Sequence, residues 1–458
     1  MSAAGLVRGA LLGGSRLCAV STPAAVSSSL VPIQQRRTVV HKSCLNLNPE
    51  TTPPPWDYKK HGYNDVHILW DWTKKRFNQN TKLITIEGNI GAGKSTFAKE
   101  LADELGMHYM PEFKMEDILI DRYGNDMRNF YKYFPERFRF PDMKMFYADP
   151  AHPMTTCMQD RIYFCRYEQY ANALAHMLNT GQGVVLERTP HSDFVFVNAM
   201  RKKNFIGLPF MRYYYLRRKI TLDRLSLYPH LIIYLDTPVD KCLENIKKRG
   251  NDYETNSGVI DREYLQVIED SYKDFMQEAE RKSYTLVYDW QKAGDTDSVV
   301  EDIEQLDLDF YERYLSRGGM GGGEHEKLQA WHDIDLEGPY TWNFWRVYFT
   351  EKYQLCAKVD SLPKHEVEEL YCSPEDFDQF IAAMKVHVLK GPHSYGYNHK
   401  LGDSMWNYGW FLARQGQQMP DRWYDYYYKE AYYDDYFSFR DASDRTGEKT
   451  YNPDYLHH

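Results

Sequence analysis

The 458-residue chain is 43% apolar and 26% charged, so it can build a sizeable core, and wholesale disorder is excluded. Its net charge of −9 argues against a nucleic-acid partner held by phosphate neutralisation, and no run approaches the ~20 consecutive apolar residues of a membrane-crossing helix. Seven irregularly spaced cysteines without a CxxC pair read as reduced thiols rather than a disulfide framework or zinc site, and 38 tyrosines, a residue favoured at wet contact surfaces, suit a partner-facing protein.

Residues 1–49 contain no Asp or Glu and carry Arg8, Arg16, Arg36 and Arg37 among Ala, Ser, Leu and Val. A basic, Ser-rich, acid-free start is the composition of a mitochondrial transit peptide, here read over residues 1–37. Arg8 and Arg16 interrupt the solid apolar core that a secretory signal needs. Loss of 1–37 removes four arginines and takes the net charge from −9 to −13. Residues 38–80, polar and aromatic with the run TPPPWDY, predict an extended arm able to lie along a partner.

A single α/β domain is expected over 81–316. Lys82–Glu87 (KLITIE) reads as a buried strand, followed at once by GNIGAGKST and a helical pattern, FAKELADELG. Gly88, Gly93, Lys94 and Ser95 satisfy GxxxxGK[ST]. Glycines let the backbone curl so that N–H groups converge on one anion, and the helix adds its positive N-terminal end. Gly88, Asn89, Gly91, Ala92, Gly93, Lys94, Ser95 and Thr96 are therefore the candidate nucleotide-binding residues. Lys94 would reach the phosphates, and Ser95 would ligate Mg²⁺.

Further along, Gln159 to Asn179 reads as a long helix on which Gln159 and Arg166, two turns apart, share a face. A Gln amide can read a nucleobase edge. The segment Gly183–Phe194 (GVVLERTPHSDF) is a second strand whose carboxyl end places Glu187 beside the cradle as a Mg²⁺ ligand. Arg188 next to it can hold a phosphate or a sugar hydroxyl. Then come a strand (Leu231–Pro238), a helix ending at Gly250 with Lys247, Lys248 and Arg249 at its basic end, a helix from Asp261 to about Ala279, and a strand, Tyr284–Asp289. This alternation over 82–305 predicts an α/β fold with a parallel sheet covered on both faces. RGGMGGG at 317–323 reads as a flexible linker, 324–412 as an aromatic-rich region packing on the core or on a neighbour, and 413–458 as a Tyr-rich tail.

The cradle GNIGAGKST, the Gln159–Arg166 spacing and the Glu187–Arg188 pair with Asp193 further on resemble the deoxynucleoside kinase family over roughly residues 80–290. The resemblance implies a P-loop kinase-like parallel sheet flanked by helices, here with an extended N-terminal arm and a C-terminal extension. It implies that Gln159 and Asp193 read a base, that Arg166 and Arg188 steady sugar and phosphates, that Glu187 sits at the metal, and that Glu112 in YMPEF is the general base. The family's lid carries arginines as R-x-x-x-R-G-R. Here Arg249 keeps the middle one, with Asn245 and Asn251 at the other two. Such arginines neutralise charge on the transferring phosphoryl group, so their loss implies nucleotide binding with slow turnover or none.

A narrower resemblance is carried by YEQYANALAHMLNTGQGVVLERTPHSDFVF and by SYGYNHKLGDSMW (Ser394–Trp406), and extends over about residues 40–412. It is to the deoxynucleoside-kinase-like accessory subunits of mitochondrial respiratory complex I. It implies a non-redox subunit without flavin or iron–sulfur cluster, on the matrix side of the inner membrane, partnered by other complex I subunits and binding a nucleotide (ATP, ADP or a deoxynucleotide) with Mg²⁺. The alternative reading is an active mitochondrial deoxynucleoside kinase.

Overall fold

A computed structural model of the chain describes residues 38–45, 52–120, 126–292, 294–309, 327–351, 370, 373–383 and 387. The transit-like start, the Gly-rich linker at 317–323, the SYGYNHKLGDSMW phrase and the Tyr-rich tail lie outside the described residues.

Five strands form one parallel sheet: β1 (Leu83–Gly88), β2 (His108–Met110), β3 (Val184–Glu187), β4 (Leu231–Asp236) and β5 (Tyr284–Asp289), in the order β2-β3-β1-β4-β5. The central β1 is buried along its whole length, as a strand covered on both faces must be; Leu83, Ile84 and Ile86 supply apolar core, and two polar side chains, Thr85 and Glu87, are buried among them. Register fixes the site. Ile86 lies opposite Glu187 on β3 and Ile233 on β4, and Gly88 lies opposite Leu235. The loop after β1 and the carboxylate at the end of β3 therefore emerge side by side at the carboxyl edge, where open parallel sheets hold their ligands.

Helices cover both faces: α1 (Lys94–Leu105), α2 (Thr155–Thr180), α3 (Phe194–Lys202), α4 (Leu208–Leu225), α5 (Val239–Arg249), α6 (Arg262–Ala279), α7 (Thr296–Gln305), α8 (Gln329–Glu337) and α9 (Pro339–Glu351). Strand alternation sends Ile232 and Tyr234 of β4 into one apolar cluster with Tyr272 and Phe275 of α6, and Leu231, Ile233 and Leu235 into another with Leu101 of α1 and Leu174 of α2. The helix expected from Gln159 begins a turn earlier, at Thr155, and runs to Thr180, where Gly181 at φ 74° stops it. The sequence reading left α3, α4 and β2 unmarked. In α4 the buried stripe runs through Phe210, Tyr214, Arg217, Thr221 and Leu225, and its two polar members hide the helical period. The three residues of β2 are too few for any pattern.

The described parts of the arm, 38–45 and 52–80, pack on the same chain, with short helical turns at Lys42–Cys44, Tyr58–His61, His67–Leu69 and Thr73–Arg76. Tyr63, Ile68 and Val347 of α9 form a small core beside Trp56. At its centre the fully buried Arg346 pairs with Asp71 at 2.8 Å, donates from Nε to Asn179 Oδ1 at 2.6 Å and lies 3.5 Å from the Tyr63 ring centroid. Arg76 grips the same carboxylate through both Nη atoms, at 3.1 and 2.8 Å. Arm, α2 and α9 are thus clasped by one buried charge cluster. Outside it, Val66, Leu69, Trp70, Leu336, Tyr340 and Phe344 are all more than half exposed. Among the described residues no helix is long and apolar enough to cross a membrane.

Candidate functional site

The loop between β1 and α1 folds as the sequence requires. Gly91 (φ 79°) and Gly93 (φ 85°) adopt left-handed backbone that side chains resist. A Cβ on Gly91 would also stand 2.9 Å from Cys242 O and 3.0 Å from Ile246 Cγ1 of α5. The Trp290 indole lies 3.7 Å from where a Cβ on Gly93 would be, and its ring meets Phe97 at 4.9 Å, so the residue after β5 backs the loop. Gly88, Asn89 and Ala92 are buried behind the cradle, while Gly91, Gly93, Lys94, Ser95 and Thr96 face a cleft of about 760 Å³. Asn89 is structural: its Nδ2 donates to Leu265 O of α6 at 3.0 Å. Lys94 donates to Asn89 O at 2.7 Å, and burial, with Arg188 nearby, pushes its pKa down to about 7. Incoming phosphate oxygens would favour its charged form.

Across the cleft mouth, Ser95 Oγ donates to Glu187 Oε2 at 2.8 Å, and the Tyr109 hydroxyl donates to Glu187 Oε1. A serine hydroxyl against a carboxylate at the edge of a phosphate cradle is a hard-oxygen donor set. It fits Mg²⁺, which keeps most of its water and takes few protein ligands when phosphates supply the rest. Ser95 and Glu187 would hold the ion, and the ion would neutralise phosphate charge. Among the described residues there is no larger cluster of His, Cys, Asp and Glu suited to a metal.

Deeper in the cleft the predicted substrate residues form one network. Glu112, two residues past β2, accepts from Arg188 Nη1 at 2.9 and 2.6 Å and from Arg166 Nη2 at 2.7 Å. Burial would raise the Glu112 pKa, but the two guanidiniums outweigh it and hold the carboxyl well below the usual range. Arg166 also donates to Asp193 Oδ1, Gln159 Nε2 donates to Asp193 Oδ2 at 3.1 Å, and Tyr214 donates to the same oxygen at 2.5 Å. Asp193 is fully buried and does not face the cleft, whereas Gln159, Arg166 and Arg188 do. Asp193 therefore orients Gln159 and Arg166 from behind. The Phe196 ring lies under both guanidiniums, 4.7 Å from Arg166 Cζ and 4.8 Å from Arg188 Cζ. Arg188 takes φ 57°, unusual for a side-chain-bearing residue, and its N–H donates to Ile86 O at 3.1 Å.

Over the phosphate end, α5 brings the lid positions. Asn245 Nδ2 donates to Gly91 O at 2.8 Å, so its side chain braces the loop. Arg249 faces the cleft and bonds Glu254 at 3.2 Å; Asn251 Nδ2 bonds Glu254 at 3.2 Å as well. Lys247 and Lys248 are exposed and do not line the cleft.

Sequence reasoning passed over Tyr109, Tyr214, Phe196 and Glu254, and also Glu87 of β1. Glu87 is wholly buried and accepts from Ser192 at 2.7 Å, Thr189 at 3.0 Å and Tyr272 at 3.2 Å, which pins the 188–193 turn. A carboxylate inside a strand otherwise fit for burial was the available signal for Glu87. The tyrosines and Phe196 gave none, because each looks like ordinary core.

A parallel sheet with a Gly-rich loop at the end of its central strand, a lysine and serine opening the next helix, and a carboxylate on the neighbouring strand is the architecture of the P-loop kinases. The family model for deoxynucleoside kinase matches residues 84–316, just over half of the chain. The chain belongs to the deoxynucleoside kinase family. It is 39% identical over 248 residues, 53% of this chain and 69% of the relative, to NADH dehydrogenase (ubiquinone) 1 alpha subcomplex subunit 10, mitochondrial, of Bos taurus. It is 30% identical over 233 residues, 50% of this chain and 72% of the relative, to the deoxyguanosine kinase of Dictyostelium discoideum. The solved structure of deoxyadenosine kinase from M. mycoides with bound dATP is 23% identical and aligns with 48% of this chain and 96% of that one, at a TM-score of 0.36.

Proposed function

We propose that the chain is an accessory, non-redox subunit of mitochondrial respiratory complex I, peripheral to the matrix side of the inner membrane, that supports assembly of the complex and keeps a nucleotide pocket with little or no turnover. The 39% identity to the bovine complex I subunit carries the assembly half of this reading. The exposed apolar side chains Val66, Leu69, Trp70, Leu336, Tyr340 and Phe344, all outside the kinase match, support it, since exposed apolar surface is what a protein partner covers. The acid-free, basic start supports mitochondrial import. Co-migration with complex I on native gels, and less assembled complex on depletion, are the expected results. A chain recovered only as free matrix protein would refute the reading.

The cradle, Lys94 and the Ser95–Glu187 pair support binding of a nucleotide with Mg²⁺. Two features argue against fast phosphoryl transfer. Glu112, the candidate base, is clamped by Arg166 and Arg188, and a carboxylate held at such low pKa is a poor proton acceptor. Of lid positions 245, 249 and 251, only 249 supplies a cation, and Glu254 counters it. The intact cradle does favour one rival, an active mitochondrial deoxynucleoside kinase. Steady-state phosphorylation of deoxynucleosides, abolished by Lys94→Ala, would establish that rival. Turnover no higher than that of Lys94→Ala, with ATP or ADP binding intact by calorimetry, is the result expected here.

A further inference from the structure

We propose that Tyr109 is a positioning residue for the divalent cation that accompanies bound nucleotide, acting through Glu187. The inference rests on the nucleotide-pocket reading and deepens it. β2 pairs with β3 so that Tyr109 lies opposite Val185. Side chains two apart on a strand share a face, so Glu187 projects on the same side as Val185. The phenol therefore reaches along the sheet edge to Glu187 Oε1, while Ser95, from the start of α1, takes Oε2 at 2.8 Å. Donors from two different elements thus hold the two oxygens of a nearly buried carboxylate, which fixes its plane. Ser95 is the donor that a cation would replace, because its own oxygen would become a ligand. Tyr109 lies on the far oxygen and keeps its hydrogen bond with the ion in place. Outer hydrogen bonds of this kind orient a ligating carboxylate, and their loss typically costs ten- to a hundredfold in metal affinity.

The test uses the full chain, ATP as nucleotide and Mn²⁺ as the spectroscopic stand-in for Mg²⁺. Mn²⁺ affinity is read by electron paramagnetic resonance at saturating ATP, and ATP affinity is read separately in EDTA. Tyr109→Phe is expected to weaken Mn²⁺ about tenfold while leaving ATP affinity in EDTA unchanged. In a Glu187→Gln background the same change is expected to do nothing further to Mn²⁺. Unmoved Mn²⁺ affinity with ATP still bound would overturn this inference alone, as would an equal loss with and without Glu187, which would mark Tyr109 as mere packing. If the parent chain bound no ATP, the pocket reading would fall and this inference with it. Should Tyr109→Phe not fold, Tyr109→His, which keeps a ring and an N–H donor, takes its place. Mn²⁺ affinity near that of the parent supports the proposal, and affinity as weak as that of Glu187→Gln overturns it.

Discussion

The cleft and the arm clasp both bury charge, and they do so to opposite ends. Around the cleft, Lys94, Arg166, Arg188, Glu112 and Glu187 line a hollow, and each is held by partners that leave a side open. In the clasp, Arg346, Asp71 and Arg76 fill a solid junction capped by Tyr63 and Trp56. A buried ion pair costs desolvation in either place. In the clasp the return is a fixed arm, and around the cleft it is a pocket already charged for an anion. Glycines follow the same division: the cradle needs Gly91 and Gly93 at positive φ, whereas the clasp is built from large aromatic side chains.

That contrast can be broken from either side. The largest effect is expected from Arg346→Met, which strands part of the Asp71 charge. Removing one partner of a buried pair costs ~3–5 kcal/mol, and Arg76 should keep the loss near ~3. Denaturant unfolding would measure it, with arm residues 52–80 becoming protease-sensitive and ATP affinity unchanged. If ATP affinity fell in parallel, the two regions would not be separable. Next is Gly91→Ala, expected to cost ~1–3 kcal/mol through strained backbone and the clash with Cys242 O and Ile246, and to abolish ATP binding without loosening the arm. Asn245→Arg sharpens the lid comparison. It breaks the bond to Gly91 O, is expected to lower stability by ~1 kcal/mol, and should raise any deoxynucleoside phosphorylation above the parent.

The smallest effect concerns pH. Burial raises the Glu87 pKa against the opposing pull of Ser192 and Arg188. A carboxyl whose pKa rises on folding binds more protons folded than unfolded. Its contribution is therefore fullest below the ordinary carboxyl range and is lost as pH climbs through the raised value. Glu87→Gln should remove that slope, so its stability relative to the parent should improve from pH 4 to pH 8 in thermal melts. A parallel pair of curves would contradict the assignment.

Legibility in the sequence divides along the same line. The cradle was readable because its chemistry forces rare residues into fixed spacing: Gly88, Gly93, Lys94 and Ser95 could be placed from the motif alone, and Glu187 from strand-end logic. Gln159, Arg166 and Asp193 were recognisable as a set, but Asp193 standing behind the other two was not, because distance from the cleft is a tertiary property. Tyr109 lay hidden in a three-residue strand, whose partner β3 is more than 70 residues further along the chain. The arm was legible only as polar and aromatic. Its clasp depends on Asp71 meeting Arg346, 275 positions further along, and no local pattern encodes that meeting.

The seven described tryptophans are unevenly shared. Trp56, Trp70, Trp72, Trp331, Trp342 and Trp345 belong to the arm and to α8 and α9, and Trp290 alone backs the phosphate loop. The described residues therefore carry two built-in optical channels. With every other indole replaced, Trp406, Trp410 and Trp423 included, emission from Trp290 would report filling of the pocket in real time, and a second variant lacking Trp290 and those three would report loosening of the arm, with no dye attached to either.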